Sequence, residues 1–257
     1  SGPGYSGGGG KIVIPAGIRV VLPAAIVLSA SMYGIDISCG SWSSAIVWTG
    51  GNSATMLTMT GPAGGHSISG CRFVLSSSQT GMVGIHVNAT SAALTKTRIV
   101  NNMMDGPATG IRLTGEASQV TIEENWILNY ATACIVATGN SGGSSVSKNH
   151  CQGGAAGSIG IDFGGSPGVT MHANTIQSGN NITGYRLNGT SSFSIMDNYY
   201  ESGLGTGQID RQFINCISCI GGSIFSNTTT GAVLGPVMAF DLNSSDIEIG
   251  PNKHTCS

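Results

Sequence analysis

Short runs of alternating apolar and polar residues recur along the middle of this chain, each closed by an asparagine. The runs RIVNN, VTIEEN, VSKN, VTMHAN and FSIMDN place Asn102, Asn125, Asn149, Asn174 and Asn198 at separations of 23, 24, 25 and 24 residues. Alternation with period two predicts strands that turn one face inward. No stretch shows helix formers in i, i+3, i+4 order with caps. Short strands repeated without helices cannot build a parallel sheet through helical crossovers. They do so by coiling, each turn laying its strand about 4.8 Å above the last. Three strands and three turns fit a repeat of this length, and about ten turns would use the whole chain.

A second series of apolar pairs advances with the first: GIHV, GIRL, CIVA, GIDF, GYRL, QIDR and AFDL. Its central residues are His86, Arg112, Val136, Asp162, Arg186, Asp210 and Asp241. Flanked by inward residues, they are expected to form an outward row, and Ile99, Ile122, Met171, Ile195 and Cys219 an inward one. The asparagines are expected to form a ladder at a bend, each side chain bonding the next rung and its own turn. The ladder continues imperfectly. Cys71 is its expected upstream member, Gly222 stands 24 residues after Asn198, and Asn252 comes later.

Composition narrows the function classes. Charged residues are 9% of the 257 and hydrophobic ones 40%, a balance that argues against disorder. Net charge is −2 with no basic cluster, so nucleic-acid binding is not expected. No apolar run reaches about 18 residues, so no membrane insertion is expected. Residues 1–10 read as a glycine-rich lead-in without the charged start and apolar middle of a signal peptide. Residues 11–257 read as one solenoid domain, and the absence of a cap in the last residues suggests that the chain continues or that a partner covers the end. Seven cysteines without regular spacing do not read as a disulfide framework. Cys216 and Cys219 have CxxC spacing without a second pair, and His66, His172 and His254 are isolated, so no metal site or cofactor is expected.

The Asn-centred rungs VTIEENWI, VTMHANTI and FSIMDNYYES, with the early KIVIPAG, resemble the right-handed parallel β-helix proteins of the pectate-lyase-like superfamily, phage tailspike type. That resemblance implies an all-β, right-handed parallel β-helix, an extracellular or virion location, a polysaccharide ligand and a homotrimer. The motifs of polygalacturonases are not evident.

Two clusters carry candidate chemistry. In the outward row, Asp162 and Asp210 would stand two rungs apart, about 9–10 Å, with Arg186 between them. Asp241 beside Asp210 would be about 5 Å away, near the separation of retaining glycosidases. Asp162, Asp210, Asp241 and Arg186 are therefore the candidate catalytic residues of a hydrolase or lyase. A cross-strand charge ladder or a subunit interface is the competing reading of the same row. Around the Asn turns, Trp126, Glu124, Tyr199, Tyr200 and Glu201, with Arg112 from the outward row, are candidate glycan contacts, since rings pack on sugar faces while polar groups bond hydroxyls. Lys148 and His150 are expected on the rung after Trp126. The non-enzymatic alternative is a structural or adhesive spike of a virion or cell surface.

Overall fold

The computed structural model describes residues 9–29, 31–75, 81–177, 181–201, 212–231 and 236–255. These form thirty strands and no α-helix. Every strand pairing is parallel, and the strands sort into three sheets that each receive one strand per turn. The first strand is Lys11–Ile14, and Ser245–Ile249 and Lys253–Thr255 begin a tenth turn after about nine complete ones. The chain is a right-handed parallel β-helix, as its alternation pattern and period require.

The alternation decides the packing. Ile37, Ile68, Ile99, Ile122, Val146, Met171, Ile195 and Ile224 pair successively in the first sheet and are all buried. Burying each such side chain contributes about 1.5–3 kcal/mol. Cys219 is not in this column. It pairs one bend earlier, where its amide donates to the Ser244 hydroxyl and its thiol to Leu187 O. The reason lies earlier in the turn: ten residues separate Glu201 from Gln212, so Ile224 rather than Cys219 takes the slot opposite Ile195.

The bend between the first and second sheets carries the asparagine ladder. Asn125 Oδ1 accepts the Asn102 backbone N–H at 3.0 Å and its side-chain amide at 3.1 Å. That side-chain amide also donates to Ile68 O and Val100 O, so both ends of the group are satisfied. The pattern repeats through Asn149, Asn174, Asn198, Asn227 and Asn252. The slot after Asn198 belongs to Asn227, not Gly222, because the intervening turn is five residues longer than 24. Gly222 lies in a strand, where an added Cβ would strike the Phe193 ring at 2.4 Å. Upstream, the Cys71 amide donates to Asn102 Oδ1, and Cys71 is disulfide-bonded to Cys39.

A second disulfide joins Cys134 of the third sheet to Cys151 of the second. The linear spacing hides both bridges, because coiling brings together cysteines 32 and 17 residues apart. The expectation of no disulfide framework is thereby corrected. Cys216 and Cys219 remain thiols and are buried. Their mutual contact, then burial, raises the Cys216 pKa well above its ordinary value.

Candidate functional site

The third sheet presents the outward row. Its register is Thr58, His86, Arg112, Val136, Asp162, Arg186, Asn215, Ala239. The expected neighbours from His86 to Arg186 are therefore brought together. Asp210 lies outside the described residues. In the sheet the next strand after that of Arg186 is Gln212–Ile217, and Asn215 pairs with Arg186. Asp241 is not in the row, since Ala239 pairs with Asn215 and Asp241 follows the strand Met238–Phe240. Its carboxylate accepts the Ser244 hydroxyl at 2.7 Å and the Ser218 amide at 2.8 Å, which holds its pKa below the ordinary value. Asp241 thus closes a turn outside the row, and its expected carboxylate partner, Asp210, lies outside the described residues.

Asp162 and Arg186 form a two-pronged ion pair, Nε to Oδ1 at 3.0 Å and Nη2 to Oδ2 at 2.5 Å. Asp162 is only 8% exposed. The bond to Asp162 raises the Arg186 pKa further. Two rungs below, Arg112 makes one long hydrogen bond, Nη2 to the Thr109 hydroxyl at 3.5 Å, and no ion pair among the described residues. Beside it, His86 Nε2 meets the Thr114 hydroxyl at 2.8 Å. Burial, then the Arg112 charge, pushes the His86 pKa down to about 4, so the ring is neutral at pH 7. Arg112, Asp162, Arg186 and the threonines 109, 132 and 138 line a cavity of about 380 Å3.

The second constellation sits on the bend between the first and second sheets. Trp126 and His150 pair in the second sheet and their rings stack at 4.7 Å. Trp42 reaches Trp126 from a distant loop, ring centroids 5.7 Å apart and tilted 55°. Its Nε1–H donates to Asn101 O at 2.9 Å, which fixes the indole against the bend. Trp126 is 42% exposed. Beyond Trp42 opens a shallow cavity of about 480 Å3 bordered by Gly40, Ser41, Gly70 and Asn101. Lys148 Nζ bridges Glu123 at 3.1 Å and Glu124 at 3.5 Å, and the Glu123 bond raises its pKa. Glu124 and Lys148 themselves occupy the left-handed region, φ 56° and 53°, at the residue before each ladder asparagine. Such residues are strained. The ladder holds them there, so their side chains project from the corner on successive rungs.

The expected glycan contacts divide accordingly. Trp126 and Glu124 join this ledge, while Arg112 belongs to the third-sheet groove. Tyr199 continues the outward row of Trp126, His150 and Thr175, with its hydroxyl on Thr230 at 3.2 Å. Glu201 faces outward and accepts from Gln177 at 2.7 Å. Tyr200 does not face solvent. It is fully buried, packs against Phe213 and donates to Ile182 O, as strict alternation between Tyr199 and Glu201 demands. Trp42 is the residue that sequence reasoning missed. The one available signal was a lone aromatic in the serine-rich bend Ser41–Ser44.

Among the described residues, no three His, Cys, Asp or Glu side chains gather as a metal-binding group. His66 Nδ1 accepts the Ile35 amide, and His172 pairs with Asp197 at 3.2 Å.

Solved structures share the fold at low identity. The bacteriophage CBA120 tailspike protein 2 enzymatically active domain is 10% identical over 94% of this chain and 43% of its own, with TM-score 0.64. DFA-IIIase from Arthrobacter chlorophenolicus A6 is 12% identical over 86% and 58%, TM-score 0.60. The Streptococcus pneumoniae surface protein and adhesin PfbA is 8% identical over 95% and 89%, TM-score 0.56. The chain thus spans less than two thirds of the tailspike domain and of the DFA-IIIase. No curated protein matches the chain by sequence. Residues 32–207 match the family model described as periplasmic copper-binding protein (NosD), and the chain belongs to that family.

Proposed function

We propose that this chain is a polysaccharide-binding β-helix that works outside the cytosol. The observation that carries the reading is the ledge of Trp42, Trp126 and His150, a partly exposed aromatic surface beside Glu123, Glu124 and Lys148 on an exterior of serine and threonine. Rings of this kind pack on the apolar face of a sugar, and the neighbouring charges bond its hydroxyls. Two disulfides and the periplasmic label of the family support a location outside the reducing cytosol. The tailspike and surface-adhesin names of two structural neighbours are in keeping with work at a surface.

The family description also names copper. The described residues do not fit a copper centre: four cysteines are tied in disulfides, Cys216 and Cys219 are fully buried, and no His joins them. No copper role is derived for them.

A cleaving version of the proposal rests on Asp162, Asp210 and Arg186. The two-pronged pairing of Asp162 with Arg186 engages both carboxylate oxygens, which favours a positioning or binding role over acid or nucleophile work. The homotrimeric virion spike is the finer form of the proposal. Sedimentation giving a monomer at micromolar concentration would remove it.

A glycan array with the wild-type chain tests the central reading. Binding to at least one polymer is expected, with Trp42→Ala and Trp126→Ala each weakening it roughly tenfold. Binding to none would leave a structural rod. Loss of polymer cleavage in Asp162→Asn and Asp210→Asn, with folding intact, would establish the enzymatic version.

A further inference from the structure

We infer that Cys216 and Cys219 are a site of reversible disulfide formation, a third bridge that opens before the other two and fixes the seat of the last turn. The inference uses neither the ledge nor the groove.

The first element is placement. Cys216 is buried in the strand Gln212–Ile217, where it pairs with Leu187 on one side and Phe240 on the other. Cys219 lies at the bend toward the first sheet, and its thiol donates to Leu187 O at 3.7 Å and to Ile217 O at 3.9 Å. Both cysteines thus meet at Leu187, and the two thiols are in hydrogen-bonding contact. Between them Ser218 takes the left-handed conformation, φ 52°, which folds the segment back on itself. The other four described cysteines are already bridged, which places the chain where disulfide oxidants act.

The second element is chemistry. The contact with Cys216 lowers the Cys219 pKa, so Cys219 is the first nucleophile. Its thiolate attacks an external disulfide such as oxidised glutathione, and one thiolate leaves. The Cys216 sulfur then attacks the Cys219 sulfur, and the second thiolate leaves. Two S–H bonds are lost and one S–S bond forms. Both protons and both electrons end on the two thiols released from the oxidant. Both cysteines are fully buried, so the exchange waits on an opening of the turn.

The third element is what the turn holds. The Ser218 amide donates to Asp241 Oδ1 at 2.8 Å, the Ser244 hydroxyl donates to the same oxygen at 2.7 Å, and the Cys219 amide donates to the Ser244 hydroxyl at 3.1 Å. This closed set ties the cysteine turn to the rung that follows it. A bond from Cys216 to Cys219 keeps Ser218 and Cys219 where those hydrogen bonds need them. The loop it closes contains only Ile217 and Ser218, against sequence separations of 32 and 17 for the other bridges. A loop so short constrains the unfolded chain least, so this bridge is the most readily reduced.

Thiol trapping tests this. The folded Cys256→Ser chain, in which these two are the remaining thiols, is equilibrated in mixtures of reduced and oxidised glutathione. It is then quenched in acid, unfolded, alkylated and analysed by peptide mass. The Cys216–Cys219 bond is expected to dominate in oxidising mixtures and to reopen at roughly tenfold less reductant than the other two bridges. In the oxidised form the amides of Ser218, Cys219 and the strand Met238–Phe240 should exchange hydrogen roughly threefold more slowly. Alkylation of both cysteines at every glutathione ratio would overturn the inference. So would a glutathione adduct left on either sulfur, reopening together with the longer bridges, or unchanged exchange. Cys216→Ser and Cys216→Ala, checked for fold by circular dichroism, should make the exchange rates independent of glutathione. A dependence that survives in either folded variant would assign the effect to another bridge and remove this one.

Discussion

The two bends that flank the second sheet are built on opposite principles. Between the first and second sheets, two residues separate the strands on turn after turn, from Ser69 to Arg72 through Phe225 to Thr228. Between the second and third sheets, the gap grows from three residues after Asp105 to ten after Glu201. One bend is locked by a side chain that satisfies two rungs at once. The other closes through ordinary turns, whose length costs little entropy to change. Each constellation inherits the character of its bend. The ledge stands on the constant bend, which places Glu124, Lys148, Ala173 and Asp197 in the same slot on successive rungs. The groove stands on strands entered from the variable bend, where insertions can reshape a ligand site without disturbing the core.

The sharpest way to break this contrast is to remove one ladder member. In Asn149→Ala, the Asn125 amide and side chain lose their acceptor, and the carbonyls of Ile122 and Ser147 lose a donor. Orphaning several buried polar groups should cost about 3–5 kcal/mol, read as a lower urea midpoint. Two glycines inserted within residues 153–158 of the variable bend should cost under about 1 kcal/mol. Equal losses would mean that the ladder is ornamental.

Breaking the groove's ion pair comes next. Asp162→Ala leaves Arg186 without its two acceptors in a half-exposed position, and the expected loss is about 1–2 kcal/mol. The double variant Asp162→Ala with Arg186→Met should recover part of it, since no lone charge remains. A double-mutant cycle with zero coupling would deny the pair any structural role.

The two regions also differ in how readable they were. Register in the groove follows from period alone: residues 24 to 26 apart in the same alternation slot must be neighbours, so His86, Arg112, Val136, Asp162 and Arg186 were placed correctly. The extrapolation failed after Glu201, where a ten-residue gap resets the count and Asn215 takes the slot beside Arg186, and at Asp241, where Ala239 takes the slot. The same irregularity misplaced Cys219 and sent the ladder to Asn227. The ledge was legible in part, because Trp126, Lys148 and His150 lie one period apart. Trp42 was not, since its contact depends on a loop geometry that no periodicity encodes. Disulfides stayed hidden for a related reason: their partners do not share a register slot, Cys71 lying in the bend just beyond the slot of Cys39, and Cys134 and Cys151 standing on different sheets.

A pH experiment separates the groove from the ledge by its sign. His86 has a folded pKa of about 4 against an ordinary value of 6.5, so the unfolded chain binds the proton more readily. Stability from this group is fully present above pH 6.5, falls as pH drops from 6.5 toward 4, and is level below that. Allowing for solvent screening of a partly exposed ring, the loss is about 1–2 kcal/mol. His86→Gln should flatten that part of the profile in urea unfolding at pH 4.0 and 7.0, and an unchanged slope would place the effect elsewhere.

The smallest expected effect belongs to the ledge. Lys148 bridges Glu123 and Glu124 at the exposed surface. Exposed pairs of this kind are screened by salt and offset by the entropy of holding long side chains. Lys148→Ala should therefore leave the melting temperature within about 1 °C of wild type. Its consequence should appear in binding alone, as weaker affinity for the polymer that Trp126→Ala also weakens. A fall in stability together with unchanged binding would mean that the lysine holds the bend in place of the asparagines, and the contrast between a locked corner and a decorated one would fail at that rung.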